Sequence, residues 1–298
     1  MNRATTRTGP TPARRILLAL LLGLGGAGFS PRAQQEDPFP LRPPGELDSS
    51  PAAVAAQVGR LASAEAAVAA DAEARLFWIG EPARARLEEG ARSAHAATGR
   101  SCRRLLGLLD RAARLEPLHQ PEMRAGYCRA RTDVADAGAL GGFYESPNTS
   151  RPVPEGLAVA PDALQLVART GELLAFEEKY RGFALYLVNA TREKAGFVAQ
   201  DSRLDVVMEA VDPDGRWRPL EWLPHSWCGN SYHGVSLSPG RAFRFAVPEY
   251  AGPLETRARF RMDRGRDGEP LYSNEFSVRV DPRQFHAKGP ISPRPDSR

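Results

Sequence analysis

The hydrophobic period of the chain changes near residue 162, and this change constrains the fold more than any other sequence feature. Beyond it, apolar and polar residues alternate one by one, as where Ala258, Phe260 and Met262 are separated by arginines. Such alternation is typical of antiparallel strands with one buried and one wet face. The alternating runs lie at 183–187, 204–210, 243–247, 258–262 and 276–280. Short strands without intervening helical patterns predict a two-sheet sandwich over residues 162–285.

The preceding region, residues 52–143, shows helical spacing instead. Val54, Val58 and Leu61 recur at intervals of three and four, and Ser50 followed by a proline predicts a helix start. Further helices are predicted to open at Pro82 and at Ser101. The predicted fold class is therefore α+β in several parts: a small helical N-terminal region followed by an antiparallel immunoglobulin-like β-sandwich.

The N-terminus predicts export. Four arginines and no acidic residue precede an apolar run at 16–29, which is shorter than the roughly 20 residues that span a bilayer. We expect a signal peptide over 1–30, a periplasmic or extracellular protein, and no transmembrane anchor after its removal. Proline-rich composition predicts a linker without core residues at 31–51, a second linker at 144–161 and a disordered tail at 286–298.

The charge pattern argues against a nucleic-acid partner. The formal net charge is +4, and of the 40 basic residues only Lys179, Lys194 and Lys288 are lysines, a skew typical of GC-rich bacterial genomes. Acidic residues are interspersed, and the sequence holds no basic block of the kind that follows a phosphate backbone. The predicted partner is an unknown extracytoplasmic ligand, either a glycan or a protein.

Two segments of the predicted sandwich carry a resemblance. The stretches 221–233 (EWLPHSWCGNSYH) and 271–276 (LYSNEF) are similar to segments of uncharacterised secreted bacterial proteins with a C-terminal immunoglobulin-like or fibronectin-type sandwich. The resemblance implies that fold for residues 162–285 and implies no activity. The sequence departs from antibody domains, because this region holds only one cysteine, Cys228.

The segment 217–233 is the richest in chemistry-bearing side chains. Exposed aromatic rings beside polar groups can stack on sugars or hold a peptide, since they supply large contact areas at low entropic cost. The residues predicted to bind a ligand are Trp217, Trp227, Asn230 and Tyr232. A structural explanation is also open, in which Trp222 faces the core and Gly229-Asn230 forms a turn.

The same segment also offers metal ligands and a nucleophile. His225, Cys228 and His233 are ligand types that suit zinc or copper, although their spacing matches no established zinc or copper motif. Cys228 beside a histidine is also a thiol nucleophile by composition. These residues define the alternative function, a metal- or thiol-dependent enzyme. No other cofactor is expected.

The three cysteines leave the disulfide pairing open. Cys102 and Cys128 are the predicted pair, because both lie in the N-terminal region and exported proteins tend to oxidise paired thiols. This pairing leaves Cys228 unpaired, and a bridge from Cys228 to either of the others is the alternative.

The row Arg257, Arg259 and Arg261 has two interpretations. It is either a surface for an anionic polysaccharide or an ordinary solvated strand face, and alternating charge favours the second. The sequence contains no recognised catalytic motif, so no catalytic residue is predicted. The function expected from the sequence is that of an exported, non-enzymatic binding or scaffolding protein.

Overall fold

The computed structural model describes residues 39–43, 45–119, 123–132, 146–224, 231–264 and 268–286. Within them the fold is α+β, with helices first and a sheet-rich C-terminal region. The helices are α1 (Pro51–Arg60), α2 (Ala66–Ile79), α3 (Arg84–Ala91) and α4 (Ala96–Ala113). Short 3-10 turns lie at Glu81–Ala83 and Pro282–His286. The predicted signal peptide and tail lie outside the described residues, apart from His286 at the start of the tail.

Two of the four described helices, α1 and α4, begin at a residue whose side chain caps the first turn. Ser50 caps α1 as predicted, with its hydroxyl accepting a hydrogen bond from Ala53 N at 3.3 Å. The predicted start at Ser101 is wrong, because His95 caps α4 and accepts from Thr98 N. Ser101 instead lies inside α4 and donates to Glu73 Oε1 of α2 at 2.9 Å.

The strands are short, and most pair antiparallel. Their bounds are β1 Met123–Arg124, β2 Arg151–Pro152, β3 Leu164–Phe176, β4 Tyr180–Asn189, β5 Ala195–Gln200, β6 Arg203–Leu204, β7 Val206–Val211, β8 Trp217–Pro219, β9 Glu221–Trp222, β10 Tyr232–Leu237, β11 Arg241–Pro248, β12 Leu254–Met262, β13 Leu271–Tyr272 and β14 Phe276–Val280. The predicted hairpin around Asp212–Gly215 is confirmed, since Val211 of β7 pairs with Trp217 of β8.

Three antiparallel sheets organise these strands. Sheet I has the order β2-β11-β4-β3, and sheet II has the order β13-β12-β7-β8 with β14 also beside β12. Sheet III has the order β10-β5-β6, and β1 and β9 form a separate parallel pair. Asn274 joins sheets I and II, because its side-chain amide accepts from Ala168 N at 2.8 Å and donates to Ala168 O at 3.1 Å.

One main hydrophobic core is shared by the sheets. Its largest fully buried side chains include Phe243 of sheet I and Phe260 of sheet II, with Leu237 of sheet III in the same cluster. A second cluster fills the space among the helices and reaches Leu173 of β3. A third, smaller cluster covers the other face of sheet I, where Tyr186 and Leu157 are buried.

Segments expected to be linkers contribute to these cores. Phe39 lies in the predicted linker 31–51, yet it is buried against Phe77 with ring centroids 5.5 Å apart. Leu118 and Cys128 precede the predicted sandwich but are buried in the main core. Strand β2 lies within the expected linker 144–161 and pairs with β11.

A three-residue bulge interrupts β3. The pairing with β4 moves from Arg169–Ala184 directly to Leu173–Phe183, so Thr170, Gly171 and Glu172 have no partner in β4. The bulge turns Glu172 inward, where it is only 3% exposed. Its carboxylate is bonded there to Tyr186 and Arg244, which satisfies its buried charge.

Candidate functional site

The structure divides the predicted 217–233 site between sheets. His225, Trp227, Cys228 and Asn230 lie outside the described residues. Trp217 is on β8 of sheet II, whereas Tyr232 and His233 are on β10 of sheet III. Trp222 is only half-buried, and the neighbouring Glu221 faces the core in its place. The described residues of the segment therefore do not form one continuous aromatic surface.

Trp217 belongs to a stack of aromatic rings and guanidinium groups on sheet II. The guanidinium carbon of Arg259 lies 4.1 Å from the Trp217 ring centroid and 4.0 Å from that of Tyr272. Arg259 is thus held against both rings by cation–π contact. The Trp217 side chain therefore already has a partner within the fold.

The arginine row on the same face is paired with carboxylates of the protein itself. Glu209 of β7 accepts from Arg259 at 2.6 Å and lies 3.5 Å from Arg261, while Arg257 pairs with Glu275 at 2.8 Å. An anionic polysaccharide would have to displace these carboxylates. The geometry therefore favours the solvated-face interpretation of the row.

The described part of the predicted metal site is His233 alone. Its ring faces Ala199 across the β10–β5 pair, and its Nδ1 atom is buried without a hydrogen-bond partner among the described residues. Nowhere in the described ranges do three His, Cys, Asp or Glu side chains gather as metal ligands would. The hypothesis of a zinc or copper site therefore depends on residues that the structure does not describe.

Cys102 and Cys128 are both free thiols buried in separate clusters. Cys102 packs among the helices, where a Cβ atom on Gly90 would come within 2.6 Å of its Sγ. Cys128 lies in the main core, and burial raises the pKa of its thiol well above the ordinary value. The structure does not bring the predicted disulfide pair together.

A cavity of about 890 Å³ lies among the described residues at one end of sheets I and II. Phe183 of β4 with Phe276 and Val278 of β14 provides an apolar floor, and the two rings meet edge to face at 5.3 Å. The charged and polar lining residues are His119, Thr170, Glu249, Glu255, Ser277 and Arg279. We call this feature the end cavity.

The walls of the end cavity come from five separate parts of the chain. Thr170 projects from the β3 bulge, and residues 249–253 connect β11 to β12. The segment after α4 is hydrogen-bonded to that connection, since Leu118 N donates to Glu249 O at 2.8 Å and Ala251 N donates to Leu118 O at 3.1 Å. The cavity is therefore built on paired backbone rather than on free loops.

Gly252 allows the connection to lie directly on β14. A Cβ atom at this position would lie 2.0 Å from the carbonyl carbon of Val280 and 2.1 Å from its oxygen. No side chain fits such an approach. Arg279 strengthens the contact by donating from Nε to Gly252 O at 3.2 Å.

A buried carboxylate stands behind the cavity wall. Tyr250 lines the cavity, and its hydroxyl donates to Glu221 Oε1 at 2.7 Å. Tyr127 donates to the same carboxylate at 2.7 Å, and Met208 N donates to Oε2 at 2.9 Å. Three donors thus converge on a side chain that is only 3% exposed.

The protonation of Glu221 is set by two opposing effects. Burial raises the pKa of Glu221 to about 7, although the three hydrogen bonds act to lower it. The pKa values of Tyr127 and Tyr250 are raised well above the ordinary value, first by burial and then by the nearby carboxylate. Because it is sealed from solvent, we regard Glu221 as support for the cavity wall and not as a group that meets a ligand.

Comparison with known proteins adds no assignment, since the sequence matches no protein-family model and no curated protein. None of the helices in the described ranges has both the length and the apolar character that crossing a membrane requires. Sequence reasoning missed the end cavity because its lining residues are far apart in the chain and form no motif. The one local signal is the alternation of apolar and polar residues at 276–280, which predicts β14.

Proposed function

We propose that this chain is an exported, non-enzymatic binding protein whose ligand site is the end cavity. In this proposal residues 1–30 are a signal peptide, and the mature chain acts in the periplasm or outside the cell on a glycan or a protein. The observation that carries the proposal is the cavity of about 890 Å³ with an aromatic floor and charged rim.

The size and lining of the end cavity support a binding role. Ligand sites usually have volumes of about 300–1,000 Å³, an apolar lining and a few polar groups that fix orientation. The floor of Phe183, Phe276 and Val278 supplies the apolar part, and His119 and Glu255 supply polar groups at the rim. The side chains of His119 and Glu255 have no hydrogen bond or ion pair with other described residues, so both remain free for a ligand.

The scaffold in this proposal is an immunoglobulin-like sandwich made by sheets I and II. Its support is that both sheets contribute to one core, where Phe183 of sheet I meets Phe260 of sheet II with ring centroids 6.2 Å apart. Sandwich domains often bind through the connections at one end of the sheets. The connection 249–253 has this position.

The export part rests on the basic N-terminus and the apolar run at 16–29. Mass spectrometry of the protein recovered from its native host tests it. We expect a chain that begins near residue 31 in the extracytoplasmic fraction. A full-length chain in the cytoplasm would refute this part of the proposal.

The binding part can be tested with a defined panel of oligosaccharides and short peptides. Amide shifts in NMR spectra should locate any binding at His119, Thr170 and residues 249–253. The variant Thr170→Trp should abolish binding, because the indole would occupy the cavity from the exposed bulge. Val198→Trp, at a 56% exposed position on β5, is the matched control and should bind like the wild type. Binding that survives Thr170→Trp unchanged would place the site elsewhere.

A further inference from the structure

The directions of the backbone hydrogen bonds of β12 show which N–H and C=O groups of β14 are bonded to it. Ser273 N donates to Phe260 O at 2.9 Å, so the backbone groups of Phe260 point toward the β13–β14 side of β12. Phe260 N also donates to Ser273 Oγ at 2.9 Å. Hydrogen-bonded and non-bonded positions alternate along an antiparallel pair. The backbone N–H and C=O of Ala258 therefore also point toward β14, and those of its partner Phe276 point toward β12.

The intervening residues of β14 face the opposite way. Ser277 and Arg279 lie one position out of phase with Phe276, so their N–H and C=O groups point away from β12. Among the described residues, β14 pairs with no second strand, and these four backbone groups have no hydrogen-bond partner. Within the part of the chain that the structure describes, this edge of sheet II is open.

The open edge lies along the end cavity. All four residues from Phe276 to Arg279 line it, a length of about 13 Å at the usual strand rise. Thr170, Phe183 and residues 249–253 line the same cavity, and the Phe183 ring packs against that of Phe276. The cavity volume of about 890 Å³ lies within the range of ordinary ligand sites, so a short extended chain fits there.

We propose that the ligand of the end cavity is an extended peptide that pairs with β14 as an added strand. The inference rests on the proposed binding function and specifies its ligand class. Backbone pairing with Ser277 and Arg279 gives affinity, and alternate side chains of the peptide give specificity. Apolar side chains enter over Phe183 and Phe276, while basic side chains meet the rim.

The rim charges determine the preference for basic residues. Arg279 donates to Gly252 O but keeps its positive charge, and it lies directly across from Glu255 in the β12–β14 pairing. The carboxylate of Glu255 makes no ion pair among the described residues, so this guanidinium offsets it only in part. Glu249 adds a second carboxylate, shared with Arg181 at 3.5 Å. These two carboxylates attract a lysine or arginine side chain of the peptide and repel an acidic one.

The probe for this inference is an acetylated and amidated heptapeptide in which lysine and valine alternate. Two derivatives carry N-methyl groups, one on every lysine amide and the other on every valine amide. In an added strand only one set of amides faces β14. We expect one derivative to bind like the parent and the other to bind about tenfold more weakly, measured by isothermal titration calorimetry.

Variants of the protein test the proposed backbone hydrogen bonds between the peptide and β14. Ser277→Pro removes one outward N–H and leaves the bonds to β12 in place, since proline is tolerated on a strand edge. It should weaken parent-peptide binding about tenfold, and Ser277→Ala should not change it. If Ser277→Pro fails to fold, the two N-methyl derivatives on the wild-type protein still decide the question.

The possible results separate the inference from the function on which it rests. Equal binding of both derivatives would refute strand addition, as would an alternating glutamate–valine peptide that binds as tightly as the lysine peptide. A second result would overturn the inference and leave the proposed function standing: no peptide binds, but a glycan binds to the wild type and not to Thr170→Trp. Absence of all binding at the cavity would overturn both.

Discussion

At the scale of single residues, Glu221 is the most informative position in the fold. An acidic side chain occupies the core position that alternation would assign to Trp222. Three hydrogen-bond donors, including the hydroxyls of Tyr127 and Tyr250, make this burial tolerable. No pattern in the sequence indicates it, because the two tyrosines come from segments distant in the chain.

Glu221 should make the stability of the protein fall as pH rises. Its folded-state pKa of about 7 lies above the free value of 4.5, so the folded protein binds the proton more tightly. The stabilisation is complete below pH 4.5 and is lost as pH rises through 7. Between pH 5 and pH 8 we expect the free energy of unfolding to fall by about 2–3 kcal/mol from this group.

Urea denaturation of Glu221→Gln at pH 5 and pH 8 measures this effect. The variant should lose that part of the pH dependence, because its amide does not titrate in this range. Glu88→Gln, which removes an exposed carboxylate on α3, should retain it. An equal pH dependence in wild type and Glu221→Gln would contradict the expectation.

At the scale of elements, the sequence predicts five of the strands by alternation and misses β3, β5 and β10, although β3 is the longest. Alternation identifies β4, β7, β11, β12 and β14, because each buries one face against the main core. Two-residue strands such as β1, β9 and β13 are too short to show a period. The bulge in β3 was not predicted either, since its inserted residues are held by tertiary contacts of Glu172 and not by a local turn signal.

The close approach of Gly252 to β14 gives a prediction at this scale. Gly252→Ala should destabilise the protein by about 2 kcal/mol or more, because the new methyl group collides with the backbone of Val280. The connection 249–253 must then move and deform the end cavity. Urea denaturation measures the loss, and NMR shifts of residues 276–279 report the movement.

The control for this variant is Gly234→Ala. Gly234 lies in β10, and a Cβ atom there would have no neighbour within 4 Å. Its replacement should leave stability within about 1 kcal/mol of the wild type. A Gly252→Ala protein as stable as Gly234→Ala would show that the connection is free to shift without cost.

The candidate site also belongs to the element scale. Residues 217–233 were predicted as the contact surface because their composition is unusual, and only part of this segment is described by the structure. The end cavity instead combines the β3 bulge, the connection 249–253 and the edge of β14. Each is ordinary in sequence, and only their positions in the fold bring them together.

At the scale of the whole molecule, the boundary between the helical region and the sheets is not a boundary of the core. Leu118, Cys128 and Ala130 are buried in the main core. Tyr127 from the same segment supplies one of the donors to Glu221. The sequence placed these residues before the sandwich because their segment shows no strand period.

We therefore expect that residues 162–286 do not fold alone. This fragment lacks Leu118, Cys128 and Tyr127 and leaves Glu221 buried with one donor fewer. A chain of residues 39–286 retains all of these contacts. Circular dichroism and urea denaturation should show cooperative unfolding for the longer chain only, and a cooperative 162–286 fragment would contradict this expectation.

Asn274 has a consequence for how an incoming chain can be received. Its side-chain amide forms hydrogen bonds with both the N–H and the C=O of Ala168 on β3, as a peptide group of a neighbouring strand would. A chain added beside β14 therefore finds no free backbone group at Ala168 of β3. The proposed peptide would therefore extend sheet II without joining it to sheet I at this position.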